Sequence, residues 1–260
     1  MAQYPRYRKT LVWRVVNACV FPVFLVMTSQ VAQAAKTVSK PGLRAQIGAG
    51  LSSTSGVALT NSMNSNDRVR DRIGLWDYGG NLSYNYFSYD NVAGVNRLVA
   101  KLQAKRTLRH APIGFLVGSI RYDHNLFDGY DYYVMETLNA GQRVVQTPTM
   151  HLDLEAGGGA RQNAYPNGHP ANDEPVADMV MKYVWHLRHG SRFSQTFSVV
   201  GARTGTSMTS DTGISFTLVH HLALKFSEEL IHYTSLPSTA LVHYAKTTTF
   251  TTLNLIYHIG

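Results

Sequence analysis

A length of 260 residues, a formal charge of +8 and a single cysteine, Cys19, suit one large domain and exclude a disulfide framework. No basic block, zinc-finger spacing or aromatic RNA-binding motif occurs, so nucleic acid is not an expected partner. No run of 18 or more apolar residues occurs, so no membrane-spanning helix is predicted.

The first 34 residues differ in texture from the rest. Arg6, Arg8, Lys9 and Arg14 precede an apolar run from Val15 to Met27, and Ala32 and Ala34 then take the small positions of an Ala-x-Ala cleavage site. This order of charge, apolar core and small residues predicts a signal peptide over 1–34, cleaved after Ala34. Cys19 lies inside the apolar core rather than after it, which argues against lipidation. Removal of 1–34 leaves 20 basic and 16 acidic side chains, a formal +4, and no cysteine. That residual positive charge favours anionic lipid or lipopolysaccharide only weakly.

Residues 35–260 read as one domain of long strands. Polar and apolar residues alternate with period 2, which predicts half-buried strands. In 95–107, Leu98, Ala100, Leu102 and Ala104 oppose Arg97, Lys101 and Lys105. In 149–162, Leu152, Leu154, Ala156 and Gly158 oppose Asp153 and Glu155. In 178–188, Met179, Met181, Tyr183 and Trp185 oppose Asp178, Lys182 and His186. In 222–234, Leu222, Leu224 and Phe226 oppose Lys225 and Ser227, and Leu253, Leu255 and Tyr257 oppose Thr252, Asn254 and His258. Such segments exceed the ~5–6 residues usual in soluble strands and match the ~9–11 of a tilted transmembrane strand. A closed barrel also leaves no unpaired sheet edge in hydrocarbon.

The expected fold is therefore all-β, a transmembrane antiparallel up-and-down barrel. Twelve strands are predicted at 42–54, 57–65, 75–89, 95–107, 112–125, 131–144, 149–162, 174–188, 191–203, 209–219, 221–234 and 246–259. The second is the weakest, because 61–66 is rich in Asn and Ser; an even-numbered barrel without it has ten strands. Tight turns are predicted at 110–112, 147–148, 189–190 and around His220, and longer loops at 66–74, 163–173 and 235–245. Tyr84, Tyr86, Tyr122, Tyr132, Tyr133, Tyr233 and Tyr257 fall near strand ends, where interfacial belts place aromatic rings.

Chemistry is less legible. Eleven histidines are dispersed without metal-ligand spacing. No Gly-x-Ser-x-Gly motif occurs, and Ser119, Ser198, His124 and His151 offer only an unspecific serine–histidine combination for a lipid-modifying hydrolase. No catalytic residue, metal or cofactor is assigned. Gly157-Gly158-Gly159 lacks the context of a phosphate loop and suits a bend or close packing in a barrel wall. The polar faces carry Lys101, Lys105, Arg121, Lys182, Lys225 and Glu229 together with Asp123, Glu136, Asp153, Glu155 and Asp178. These form the candidate lumen charge network. One reading is a pore lining that tunes ion passage; the other is a pairing network that fills the lumen.

Several segments carry a family resemblance: Ile47 to Gly50 running into Ser55-Gly56, Arg121 to Asp131 with Asp123, Phe127, Gly129 and Asp131, Leu154 to Gly159, Phe193 to Phe197, and the closing stretches Leu222–Tyr233 and Thr247–Ile259. On these the chain resembles the YdiY-like family of salt-induced outer-membrane proteins, whose function is largely unknown. Val57 stands where the family often has Asn, and the chain ends Ile259-Gly260 rather than on an aromatic. The resemblance implies an outer-membrane address, insertion by the barrel-assembly machinery, and an envelope or osmotic-response role without catalytic residues. The expected function is an envelope-integrity barrel, with narrow passive passage of ions or small polar solutes in view. A lipid-modifying hydrolase and a surface or adhesion barrel are the alternatives. A monomer is slightly favoured.

Overall fold

A computed structural model of the chain describes residues 42–55, 60–89, 92–108, 111–125, 130–165, 171–235 and 246–259. The predicted signal peptide, 1–34, lies outside them.

Twelve antiparallel strands follow one another in chain order. They are β1 (Arg44–Ser55), β2 (Thr60–Ile73), β3 (Trp76–Tyr89), β4 (Val92–Leu108), β5 (Ala111–Asn125), β6 (Tyr132–Gln146), β7 (Met150–Ala164), β8 (Asn172–His186), β9 (Arg192–Ala202), β10 (Gly205–Val219), β11 (Leu222–Tyr233) and β12 (Thr247–Ile259). Each pairs with its sequence neighbours, and β1 closes on β12 from Ala45↔Ile259 to Ser55↔Thr249. The result is an all-β up-and-down barrel without a free edge, in which backbone donors and acceptors are satisfied between strands.

The second strand is longer than predicted. Residues 66–73, expected as a loop, continue β2 and pair with β3 as far as Ile73↔Trp76. The physical reason is the two-sided wall. Arg68, Arg70 and Arg72 alternate with Val69, Asp71 and Ile73, so the charges that resemble loop composition line the interior of a strand. The tight connection is instead at Gly74, with φ 59°, where glycine avoids the Cβ clash of the left-handed region. The 187–191 connection places His189 (φ 58°) and Gly190 (φ 72°) in succession in that region.

The connections at 74–75, 147–149, 187–191 and 220–221 share one end of the barrel with Arg44 and Ile259; this is called the turn end here, and the opposite end the loop end. The outer face exposes Ile47, Leu51, Met63, Leu102, Ile120, Leu138, Leu154, Met179, Leu253 and Leu255. A water-soluble protein rarely exposes so continuous an apolar surface, whereas lipid tails cover it without cost. Aromatic rings flank this band. At the turn end Trp76 and Tyr78 stack 5.9 Å apart, with the Arg106 guanidinium 5.4 Å from the Trp76 ring, and Trp185 and Tyr257 are exposed there too. Nearer the loop end Tyr84 stacks on Tyr86 at 6.3 Å and Tyr122 on Tyr132 at 5.7 Å. Tyr133 and Tyr233, expected in the belts, point inward instead, because they share the phase of Asp123 and Ile231 across and along the wall.

Two glycines record how tightly the wall packs. A Cβ at Gly159 would sit 1.7 Å from the Glu136 carbonyl oxygen, and one at Gly141 would sit 2.2 Å from the Phe115 ring. The central member of the Gly157–Gly159 run faces out and its flanking members face in, so the run bends the wall rather than cradling a phosphate.

Candidate functional site

Because side chains alternate, each register pair assigns a face to a whole row of residues. The interior phase is shown by buried Asn64, Asn85, Arg97, Asp123, Asn139, Asp153, Asp178 and Asn254, which the register links around the barrel. Lys101, Lys105, Arg121, Asp123, Asp153, Glu155, Asp178, Lys182, Lys225 and Glu229 all take this phase. Glu136 does not. It is paired in the row Ile120↔Glu136↔Ala160 and is exposed on the outer face. The expected lumen position of Glu136 is therefore corrected: β6 has apolar residues in both phases, so its sequence did not reveal which phase faces in.

The interior charges collect into layers. Near the loop end, Arg97 on β4 donates from Nη1 to Glu229 Oε2 at 2.6 Å and from Nη2 to Oε1 at 3.2 Å. Glu229 lies on β11, which is five strand steps from β4 around the closed sheet, so this pair crosses nearly the full lumen. Arg97 also lies 3.4 Å from Asp123 Oδ2, and the Phe250 ring is 4.9 Å from its guanidinium carbon. Asp123 accepts from Arg121 at 2.6 Å and from the Tyr133 hydroxyl at 3.2 Å. Arg97 is 1% exposed and Asp123 2%. A bidentate arginine–carboxylate pair holds its geometry better than a lysine pair would.

A second layer joins β7 and β8. Arg161 donates to Glu174 Oε1 from Nε at 3.1 Å and from Nη2 at 2.6 Å. Asn163 Nδ2 (2.8 Å) and the Thr204 hydroxyl (2.8 Å) donate to the same oxygen, and the Thr204 amide donates to Oε2 at 3.0 Å. Tyr130 and Tyr133 flank the Arg161 guanidinium at 5.5 and 5.7 Å. Burial desolvates the Tyr130 phenol, in the connection before β6, and moves its pKa up.

Towards the turn end, Asp153 receives Arg143 at 2.6 and 2.9 Å and Lys105 at 2.8 Å, and Lys105 Nζ stands 3.4 Å over the Phe115 ring. Lys182 holds both oxygens of Glu155 at 2.8 and 3.0 Å, and Asp178 accepts from Asn139 at 2.7 Å. Asp77 binds Arg70 and, at 3.3 Å, Arg72. Lys101 has no carboxylate within ion-pair distance among the described residues; its electrostatic neighbours are Lys182, Arg121, Glu155 and Asp178.

Packing thins below the loop-end layers. Arg68 and Asp211 point inward by register yet are exposed, so water reaches them inside the wall. A cavity of about 50 Å³ is lined by Asn64, Asn85, Asp211, Lys225, Glu229 and Asn254 among others. The lumen is thus crossed by the Arg97–Glu229 pair, and the cavity adjoins that pair, since Glu229 and Asn85, the register partner of Arg97, are among its lining residues.

Sequence reasoning placed Arg97 on the polar face of its strand but did not include it, or Arg68, Arg70, Asp77, Arg143, Arg161, Glu174, Arg192 and Asp211, in the network. Arg161 and Glu174 share phase with Glu155 and Asp178, so alternation alone could have found them. Arg68 and Arg70 were hidden by the reading of 66–74 as a loop. Thr204 lies between strands, where no periodicity marks it. Ser119 faces the lumen and shares a 2.9 Å hydrogen bond with Thr137, while His124 faces out and bonds the Asp131 carbonyl. Among the described residues no group of three or more His, Cys, Asp or Glu side chains is arranged to hold a metal ion.

Comparison with known proteins agrees with this architecture. NanC porin superposes with a TM-score of 0.53 at 6% identity, covering 83% of this chain and 98% of its own. The translocator domain of the autotransporter NalP from Neisseria meningitidis gives 0.48 at 12% identity, over 94% and 98%. At such identities the likeness to NanC concerns the fold alone, an outer-membrane-type barrel. In sequence, the chain is 24% identical over 135 residues to the uncharacterized protein YdiY of Escherichia coli (strain K12). That match spans 52% of this chain and about half, 53%, of the relative. Residues 47–259, which include every strand from within β1 to the end of β12, match the family described as protein of unknown function DUF481, and the chain belongs to that family.

Proposed function

We propose that this protein is a monomeric barrel of the bacterial outer membrane that serves envelope integrity or the osmotic response and conducts ions weakly or not at all. The observation that carries this reading is the Arg97–Glu229 pair, which bridges nearly opposite walls and leaves Arg97 1% exposed. An aqueous porin needs a continuous wet path; a buried guanidinium that reaches across the lumen from β4 to Glu229 on β11 supports a narrowed one, and the Arg161–Glu174 cluster adds bulk along the wall between β7 and β8. The interior charges have mixed sign and are mostly paired, which suits a filled scaffold better than an ion selector. The apolar band and aromatic belts supply the lipid contact, with lipid and lipopolysaccharide as partners and the barrel-assembly machinery as the route of insertion. The test is single-channel recording of the purified, refolded protein in planar bilayers. The expected result is a baseline trace with rare small steps; stable large steps would overturn the reading. Fractionation of the envelope tests the address: recovery in the inner rather than the outer membrane would contradict it.

A further inference from the structure

The lumen contains cations that stand outside the ion pairs. Arg192 begins β9 and lies in register with Ser215 on β10, which lies in register with Lys225 on β11 and then Asn254 on β12. The row continues through Gly50 to Asn64 on β2. All six take the interior phase. Among the described residues neither Arg192 nor Lys225 has a carboxylate within ion-pair distance, and the same holds for Arg68, which projects inward from β2. These three cations repel one another: Arg192 lies within electrostatic range of Arg68, and Lys225 within range of both.

Polar atoms on the same row also lack partners. The Arg192 Nε donor, the Asn254 side-chain oxygen and both side-chain polar atoms of Asn64 are buried without hydrogen bonds. Asn254 is 2% exposed and Asn64 7%. Orphaned buried polar groups cost roughly 1–3 kcal/mol each, so a native wall that keeps several of them together points to a bound polar occupant. Asn64, Asn254 and Lys225 line the same cavity of about 50 Å³, together with Asp211 and Glu229, while Arg192 and Arg68 lie outside its lining. With ~10–15 Å³ of such volume per water, it holds roughly four water-sized atoms, the size of a carboxylate or phosphate group. Small residues keep the row open. Ser215 stands between Arg192 and Lys225, and a Cβ at Gly50 would sit 2.2 Å from the Asn254 side-chain oxygen.

Two carboxylates also face this space. Glu229 is held by Arg97 through both oxygens, so its charge is already matched. Asp211 lies within range of Lys225 and Arg68, and leaves the three cations in excess. Guanidinium and ammonium donors facing one cleft favour oxyanions, and focusing by the low-dielectric wall strengthens the attraction.

We propose that the lumen holds a small-oxyanion site, in which a carboxylate or phosphate group is seated at Lys225 against the side chains of Asn64 and Asn254, with Arg192 and Arg68 adding their charge from within electrostatic range. The site does not depend on a closed lumen, and a conducting barrel would leave it standing.

The test is isothermal titration of the refolded full-length protein in neutral-detergent micelles at low ionic strength. Inorganic phosphate and D-glucuronate are the probes, and D-glucose is the uncharged control. Saturable binding of phosphate or glucuronate, with the tighter one naming the preferred group, is expected. Arg192→Gln/Lys225→Gln should weaken it at least tenfold. Arg106→Gln, which removes one positive charge from the outer face, should change it less than twofold. Heat-dependent gel mobility checks barrel folding. Arg68→Gln, at an exposed lumen position, provides a second variant with little packing to lose and should weaken binding severalfold. No saturable heat with wild-type protein for either anion, equal binding of glucose and glucuronate, or undiminished binding by the folded variants would overturn the proposal.

Discussion

The Arg97–Glu229 bridge gives the most direct test of how this lumen is closed. Arg97→Ala leaves Asp123 in contact with Arg121 at 2.6 Å and with Tyr133 at 3.2 Å, so the buried carboxylate is not orphaned. Glu229→Ala leaves Arg97 with Asp123 at 3.4 Å, a longer contact. At an effective dielectric of ~20, unit charges 4 Å apart attract by about 4 kcal/mol. The Glu229 side chain is 28% exposed to the wet lumen, and screening there reduces this to about 2 kcal/mol. A double-mutant cycle on denaturant unfolding in lipid vesicles, followed by tryptophan fluorescence, should therefore return a coupling of about 2 kcal/mol. The double variant should also be less destabilised than the sum of the singles, because neither charge is left without its partner. In planar bilayers it should conduct severalfold more than wild type, since it removes the largest fully buried side chain among the described residues. A coupling below about 0.5 kcal/mol, within the scatter expected of independent sites, would refute the bridge as a stabilising contact. Unchanged conductance in a folded double variant would refute it as the constriction.

Three further outcomes follow from the wall and the second layer. Glu174→Gln removes the charge that Arg161, Asn163 and Thr204 converge on, and should lower unfolding stability by about 3 kcal/mol, in the range for breaking a buried pair; a loss under about 1 kcal/mol in the same vesicle assay would contradict the layer's role. Gly159→Ala directs a methyl group at the Glu136 carbonyl, where backbone rather than a flexible side chain must yield. It should abolish heat-modifiable folding or slow refolding by at least tenfold, and wild-type behaviour would show that the wall bends less tightly than this geometry requires. Glu136→Leu places an apolar side chain on the outer face beside Ile120 and should raise stability in vesicles by about 1 kcal/mol; a loss would mean that Glu136 serves a polar contact outside the lipid.

Much of the architecture is legible in the sequence, because a barrel wall has only two faces and each strand must alternate between lipid and lumen. Segments such as Leu98 to Lys105 and Leu152 to Glu155 place apolar and charged residues in opposite phases, so strand type and facing could be read together. Where that contrast is weak, the reading failed for a physical reason. In β6, Val134 and Leu138 share phase with Glu136 while Met135 occupies the other, and only pairing to Ile120 and Ala160 decides that Glu136 faces out. In β2, Arg68, Arg70 and Arg72 resembled a solvated loop until the closed sheet supplied an interior for them to line.

The sequence by itself pointed to twelve strands, with ten as the fallback, and to the inward position of ten of the eleven candidate charges, since local alternation is a property of each strand alone; closure of the sheet fixed the count at twelve. Tertiary structure decided which charges meet. Arg97 and Glu229 are separated by 132 positions and sit on strands nearly opposite each other, and no local pattern encodes their contact. Only closure of β1 on β12, which curls the sheet and points both side chains at the same axis, brings them within hydrogen-bond reach. The same closure brings Arg68, Arg192 and Lys225 within electrostatic range of one another, with Asp211 in range of Lys225 and Arg68 but, among the described residues, no carboxylate at ion-pair distance from any of the three.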